Sequence, residues 1–257
     1  MSILETASVP GAGPQIITIC GDAGLGKSSL AATFPKPIFM QAENGVSRIP
    51  ASFRPPALPM IKTEEDLGAQ LKAIIHDDHE YQTCVIDTIS ALDRIFIQSI
   101  LKQDGRAKSI NQALGGYGAG FGALAARHQH VRNAAEMMRQ KRNMNVVFLA
   151  HTEVSTMRLP DQDDFSRYSL RMTHDKSLPP YLDDVDAVGF LRQRLVVTGD
   201  DGERKKAISD GTRELVLHVS ASNVSKNAYG VTEPIEVKLG VNPLAAFIHN
   251  AEQGKSE

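Results

Sequence analysis

Eight consecutive residues, Gly21-Asp22-Ala23-Gly24-Leu25-Gly26-Lys27-Ser28, hold the densest chemistry in the chain. They fit G-x-x-x-x-G-K-[ST], the pattern of a loop that wraps phosphates. Glycines let the backbone turn its N–H groups inward around phosphate oxygens with no side chain in the way. The helix that follows points its positive end at the anion. The expected phosphate-binding residues are Gly21, Asp22, Ala23, Gly24, Leu25, Gly26, Lys27, Ser28 and Ser29. Lys27 is expected to reach the β- and γ-phosphates, and Ser28 to ligate Mg²⁺.

Three further side chains fit the same chemistry. "TCVIDT" places Asp87 at the end of the apolar run Cys84-Val85-Ile86. A carboxylate there holds Mg²⁺ directly or through water; capping the next helix is the other role open to it, and the two are compatible. "PIFMQAENG" ends another apolar run in Glu43, and strand ends at the carboxyl edge of a parallel sheet line the ligand crevice. Glu43 is the candidate for the carboxylate that activates water, against the alternative of an exposed loop acid. "NVVFLAHTE" brings His151 to the same edge, near a γ-phosphate, or leaves it a structural histidine. No N/T-K-x-D guanine-reading pattern occurs, so the expected cofactors are ATP and Mg²⁺. "HDDHE" at 76–80 reads as a solvated helix end, and the two histidines of "HQH" at 128–130 fall on different helix faces, so no zinc site is expected.

These residues need elements to position them. Short apolar runs read as strands and 3.6-periodic runs as helices. Strands are expected at 15–20, 37–43, 57–61, 82–87 and 145–151, and helices at 27–34, 64–77, 88–102 and 123–142. Thr63 is placed to cap the second of these helices. Leu124, His128, Val131, Ala135 and Met138 share one stripe of the last. A hairpin is expected around "TGDDGE", with a closing helix at 243–253. Alternating strands and helices predict an α/β fold, a mostly parallel central sheet flanked by helices with an antiparallel edge hairpin. One domain over 15–250 is expected, after an N-terminal segment 1–14 and before a tail 251–257. The connectors 104–122 and 152–180 exceed ordinary loop length, which marks them for function.

Bulk composition restrains the reading. Net charge is −2, yet residues 104–176 hold 11 Lys/Arg against 7 Asp/Glu. A basic middle on an acidic body hints at a polyanionic partner. Cys20 and Cys84 lie in apolar runs and read as buried thiols of a reducing cytosol. The first residues lack a secretory pattern and no apolar run approaches the ~20 residues of a membrane span, so a cytoplasmic protein with no membrane partner is expected.

The order GDAGLGKSS, an acid-ended strand at Glu43, TCVIDTISALDR and NVVFLAHTE resembles the RecA-like ATPase core, over roughly residues 15–235. It looks closest to the small phage-encoded RecA-like ATPases of recombination and single-strand annealing. The resemblance implies a catalytic glutamate at Glu43, a magnesium aspartate at Asp87 and a polar sensor at His151, where RecA has glutamine. "HVSASNVSKNAYGVTEPIEV" resembles the stretch that presents two lysines to the neighbouring subunit's ATP; Lys226 falls on the first and Ala228 on the second. The family's two DNA-binding loops fall on 104–122 and 152–180. The first carries Arg106, Lys108, Tyr117 and Phe121, the second Arg158, Arg167, Tyr168 and Arg171, and arginine beside an aromatic suits single strands. "PDQDD" in the second is acidic.

The function expected is therefore an ATP-hydrolysing, single-stranded-DNA-binding protein of phage-type recombination or strand annealing. It would be DNA-stimulated, act in the bacterial host's cytoplasm, and assemble as a homo-oligomer with ATP between subunits. A single-strand-binding or annealing protein is a further possible partner. The alternative is an ATP-switched regulatory module whose loops bind a protein. A small-molecule phosphotransferase fits less well, because no arginine-rich lid is evident.

Overall fold

Four strands of the parallel core come from the apolar runs of the first 150 residues. In a computed structural model, which describes residues 13–158, 160, 163–198 and 206–248, β1 (Ile16–Gly21), β3 (Thr83–Asp87) and β4 (Asn145–Ala150) are buried along their whole length. β2 (Pro37–Gln41) is buried through its middle. Strands with no polar face must be covered on both sides, which is the condition of a parallel sheet between helices. With β7 (Ala187–Thr198), β8 (Lys206–Val216), β9 (Lys226–Asn227) and β10 (Ile235–Glu236), the sheet runs β10-β8-β7-β1-β4-β3-β2, with β9 against β7. β1 pairs in parallel with β4 and with β7, and β3 pairs in parallel with β4 and β2. β8, β9 and β10 join antiparallel at the far side. This is the expected α/β fold, a mostly parallel central sheet flanked by helices with an antiparallel edge hairpin.

Side-chain alternation along β1 splits the core in two. Ile16 and Cys20 face one layer with Cys84, Ile86, Phe148, Phe96 and Leu124. Ile17 and Ile19 face the other with Leu30, Phe34, Val147, Leu191 and Leu215. The first layer is closed by α2 (Glu64–His76), α3 (Ile89–Gln103) and α4 (Ala119–Arg142), and the second by α1 (Lys27–Ala31). Thr63 and Asp66 form a reciprocal capping box at the start of α2, which satisfies two otherwise orphaned donors. The stripe expected on α4 is buried, including His128.

Four expectations change. Residues 57–61 make no strand: Ala57 bridges Phe39, and Leu58 and Ile61 donate to the carbonyls of Phe39 and Gln41 at 2.8 and 2.7 Å. Pro55, Pro56 and Pro59 lack the donors a longer ladder needs. α4 starts at Ala119, earlier than expected, because Gly118 at φ 83 turns the chain straight into it. The connector 152–180 is largely ordered as a separate hairpin of β5 (Thr152–Met157) and β6 (Phe165–Leu170), then α5 (Pro179–Leu182). Residues 243–248 form turns in place of the closing helix, whose remainder lies outside the described residues, as does the tip of the β7–β8 hairpin.

Candidate nucleotide site and the surfaces beside it

β1 delivers its last residue into the phosphate loop, and the loop's shape follows from its glycines. Gly24 and Gly26 adopt φ of +83° and +89°, a region that side chains disfavour. Gly21 passes so close to β7 that an added Cβ would stand 2.5 Å from the Leu191 carbonyl oxygen. α1 begins at Lys27, directly after the loop.

The Lys27 ammonium donates to the carbonyls of Gly21 at 2.8 Å and Asp22 at 3.0 Å. His151 Nδ1 lies 3.4 Å from it. Burial pulls the lysine pKa below its ordinary value, against the opposing charges of Glu43 and Asp87. His151 Nε2 stands 3.0 and 3.2 Å from the two carboxylate oxygens of Glu43. A lysine ammonium can only donate, so Nδ1 is the accepting nitrogen and the proton on Nε2 is given to Glu43. That hydrogen bond is the main cause holding the Glu43 carboxyl below its usual value. The backbone of His151 is held on both sides: its amide N–H donates to Ser90 Oγ, and its carbonyl accepts from Arg171 N. Asp22 accepts the Thr152 hydroxyl at 2.6 Å, tying the loop to the start of β5.

On the other side of the cleft, Ser28 Oγ donates to Asp87 Oδ2 at 2.7 Å. Burial pushes the Asp87 carboxyl up to about 6, while the Ser28 hydrogen bond pulls it down. The residues after β2 lean on this strand end, for Ala42 N and Glu43 N both donate to the Asp87 carbonyl. A Cβ at Gly45 would collide with Asp87 Oδ2 and lie 2.7 Å from Ser28 Oγ. A hydroxyl and a carboxylate are hard oxygen donors of the kind Mg²⁺ takes, and the absence of a side chain at Gly45 leaves both of them unblocked.

Glu43, Lys27, Ser28, Asp87 and His151 thus line one cleft of about 440 Å³. Its wall also includes Asn44, Arg48 and Ile49, which the sequence reading passed over. Their signal was available: they follow Glu43 at the strand end that the crevice rule singles out. A second cleft of about 390 Å³ shares His151 and is lined by Arg94 and Arg171.

The remaining expected residues scatter. Arg106 and Lys108 are exposed on the turns before α4, and Tyr117 stands fully in solvent. Phe121 lies against His174, ring centroids 4.4 Å apart and planes tilted by 31°. Arg158 is exposed and pairs with Asp164 at 3.5 Å. Arg167 is half-buried and donates to the Asn223 carbonyl at 3.1 Å. Tyr168 stacks on Phe190 with one edge open. Lys226 donates to the Asp183 carbonyl at 2.8 Å, away from the cleft lining.

A phosphate loop on β1, an acid ending the strand two places away and a second acid beyond β2 define a P-loop nucleotide-binding core. The chain belongs to the AAA domain family, whose model matches residues 13–229. No curated protein matches it. Among solved structures it is similar to a KaiC-like protein from the hyperthermophilic archaeon Pyrococcus horikoshii OT3, at 9% identity and a TM-score of 0.46, covering 87% of this chain and 84% of that one. It is also similar to a RadB recombinase, at 10% identity and a TM-score of 0.44, covering 80% and 81%.

Proposed function

We propose that the chain hydrolyses ATP and binds single-stranded DNA, as a subunit of a phage-type recombination or strand-annealing assembly in the bacterial cytoplasm. The observation that carries the ATPase reading is the run Lys27–His151–Glu43 at the mouth of the phosphate loop. Lys27 binds the β/γ-phosphates. Ser28 and Asp87 would hold Mg²⁺, which would supply charge neutralisation at the phosphates. Glu43, kept ionised by His151, accepts a hydrogen bond from the attacking water and draws its proton. His151 keeps the carboxylate aimed, and a phosphate that recruits Lys27 also frees Nδ1, so the ring senses occupancy.

The DNA half rests on the exposed Arg106, Lys108, Arg158 and Arg171 and on the open ring of Tyr117. A regulatory module that binds a protein is the second reading. Its support is the exposed apolar pair Leu114 and Tyr117, with Arg158 and Arg167 already partnered. Among the described residues no helix is long and apolar enough to cross a membrane.

The deciding experiment is the ATPase rate with and without single-stranded DNA, Lys27→Ala serving as the inactive control. DNA stimulation is expected. Arg158→Ala with Arg171→Ala should weaken DNA binding and flatten its salt dependence by about one to two units of slope. Unchanged DNA affinity across salt concentrations favours the protein-binding reading.

A further inference from the structure

Strand β8 carries a cation to the back of the phosphate loop. Arg213 is set in the strand from both sides: it stands opposite Gln193 of β7, and its carbonyl accepts Val237 N at 2.8 Å. Its alternation partners Leu215 and Leu217 are buried in the same layer as Leu30 and Ala31 of α1, so the Arg213 side chain emerges toward the loop that starts α1.

There its Nη1 donates to the Leu25 carbonyl at 3.3 Å. The same nitrogen occupies the space that a Cβ on Gly26 would need. Gly26 is thus fixed twice, by its φ of +89° and by the guanidinium against it. Arg213 is not part of the cleft wall; it grips the loop from outside.

Charge distinguishes this contact from ordinary packing. Arg192 and Arg194, on the neighbouring strand, pair with Glu214 and Asp210. Arg213 has no carboxylate partner within 4.0 Å among the described residues. An unneutralised cation therefore stands behind a loop whose pattern is made for polyphosphate.

We propose that Arg213 is a positioning residue of the nucleotide site, fixing the Leu25–Gly26 corner and adding a second positive charge behind the phosphates, so that β8 helps set polyphosphate affinity. The proposal rests on the phosphate-loop reading and deepens it. Because Arg213 acts on the loop and not on the reacting water, it governs binding of ATP and ADP alike.

The test is calorimetric titration of the full chain with ATP and with ADP, alongside steady-state ATPase. Arg213→Met should weaken both nucleotides by about tenfold, as loss of a charge-assisted hydrogen bond does. The rate at saturating ATP should change by less than about threefold, a KM effect without a kcat effect. Arg213→Lys should recover most of the affinity. The gap between wild type and Arg213→Met should also narrow as salt rises from ~0.05 to ~0.5 M. If Arg213→Met does not fold, Arg213→Gln takes its place. Wild-type affinity in the neutral variant overturns the proposal and leaves the phosphate loop standing. So do equal losses in the Lys and neutral variants with no salt dependence, which mean a packing role only. A wild-type chain that binds neither nucleotide overturns both.

Discussion

Lys27 has three acceptors around it before any phosphate arrives: two loop carbonyls and His151 Nδ1. A polyphosphate must therefore exchange partners with a lysine already held, and that exchange is where binding touches Glu43. Glu43→Gln should leave ATP bound and slow turnover by ~10²–10⁴-fold, since an amide fills the space without drawing a proton. Calorimetry and a single-turnover assay together check this; if turnover survives and Asp87→Asn alone abolishes it, the base lies elsewhere. The phosphate loop was legible because its parts are contiguous. Glu43, Asp87 and His151 were legible because each ends a buried run, and the parallel sheet brings such ends to one edge. Arg213 left no local trace: it sits in an ordinary strand, and only the order of β8, β7 and β1 carries it to Leu25.

At the scale of elements, a buried polar chain joins three helices. Tyr181 of α5 stands 2.9 Å from His128 Nδ1 on α4, and His128 Nε2 stands 3.0 Å from Asp93 Oδ1 on α3. Thr173 donates to the other Asp93 oxygen through its backbone and hydroxyl. Removing His128 strands two buried groups, so His128→Ala should cost about 2–4 kcal/mol, read as a lower urea midpoint. Burial alone would raise the Asp93 carboxyl, but the bonds from His128 and Thr173 overcome it and hold the group below its ordinary value. Its contribution is fully present above the usual carboxylate range and is lost as pH falls through the folded value. Below pH ~4, wild type should lose stability more steeply than Asp93→Asn; parallel pH profiles would count against this account. The sequence placed His128 correctly on the core stripe of α4, because helical periodicity is strong there. It missed the β5–β6 hairpin, whose strands carry exposed Glu153, Val154 and Ser166 and bury too little for a clear alternation. It overread 57–61, where apolar content outweighed the prolines.

For the whole molecule the proposed assembly makes a testable claim, that one subunit completes another's site. Lys226 stands opposite Val188 near the start of β7, outside the cleft lining, and donates to the carbonyl of Asp183 at the end of α5. If it faces a neighbour's γ-phosphate, it neutralises charge there as an arginine finger does. ATPase activity per subunit should then rise with protein concentration, and Lys226→Ala should lower it while the isolated subunit still binds ATP. Mixing Lys226→Ala with Lys27→Ala subunits should restore part of the rate. A concentration-independent rate with no rescue refutes the shared site. The overall α/β architecture was readable because alternating strand and helix patterns leave few topologies for a parallel sheet. Contacts between copies have no such pattern, so Lys226 was reached by resemblance and not by periodicity.

The two thiols of the first core layer have a practical consequence. Cys20 precedes the phosphate loop and Cys84 lies on the Asp87 strand; both are fully buried, with burial pushing their pKa up to about 12. They are the only cysteines in the chain. A thiol with neither exposure nor thiolate character is inert to alkylating reagents, so every modification event records an excursion in which the sheet has opened. The labelling half-time at fixed reagent then serves as a clock for that opening, with no dye or tag attached. Saturating ATP should lengthen it in proportion to how tightly the nucleotide is held. Peptide mapping would show whether Cys20, at the loop's root, slows more than Cys84.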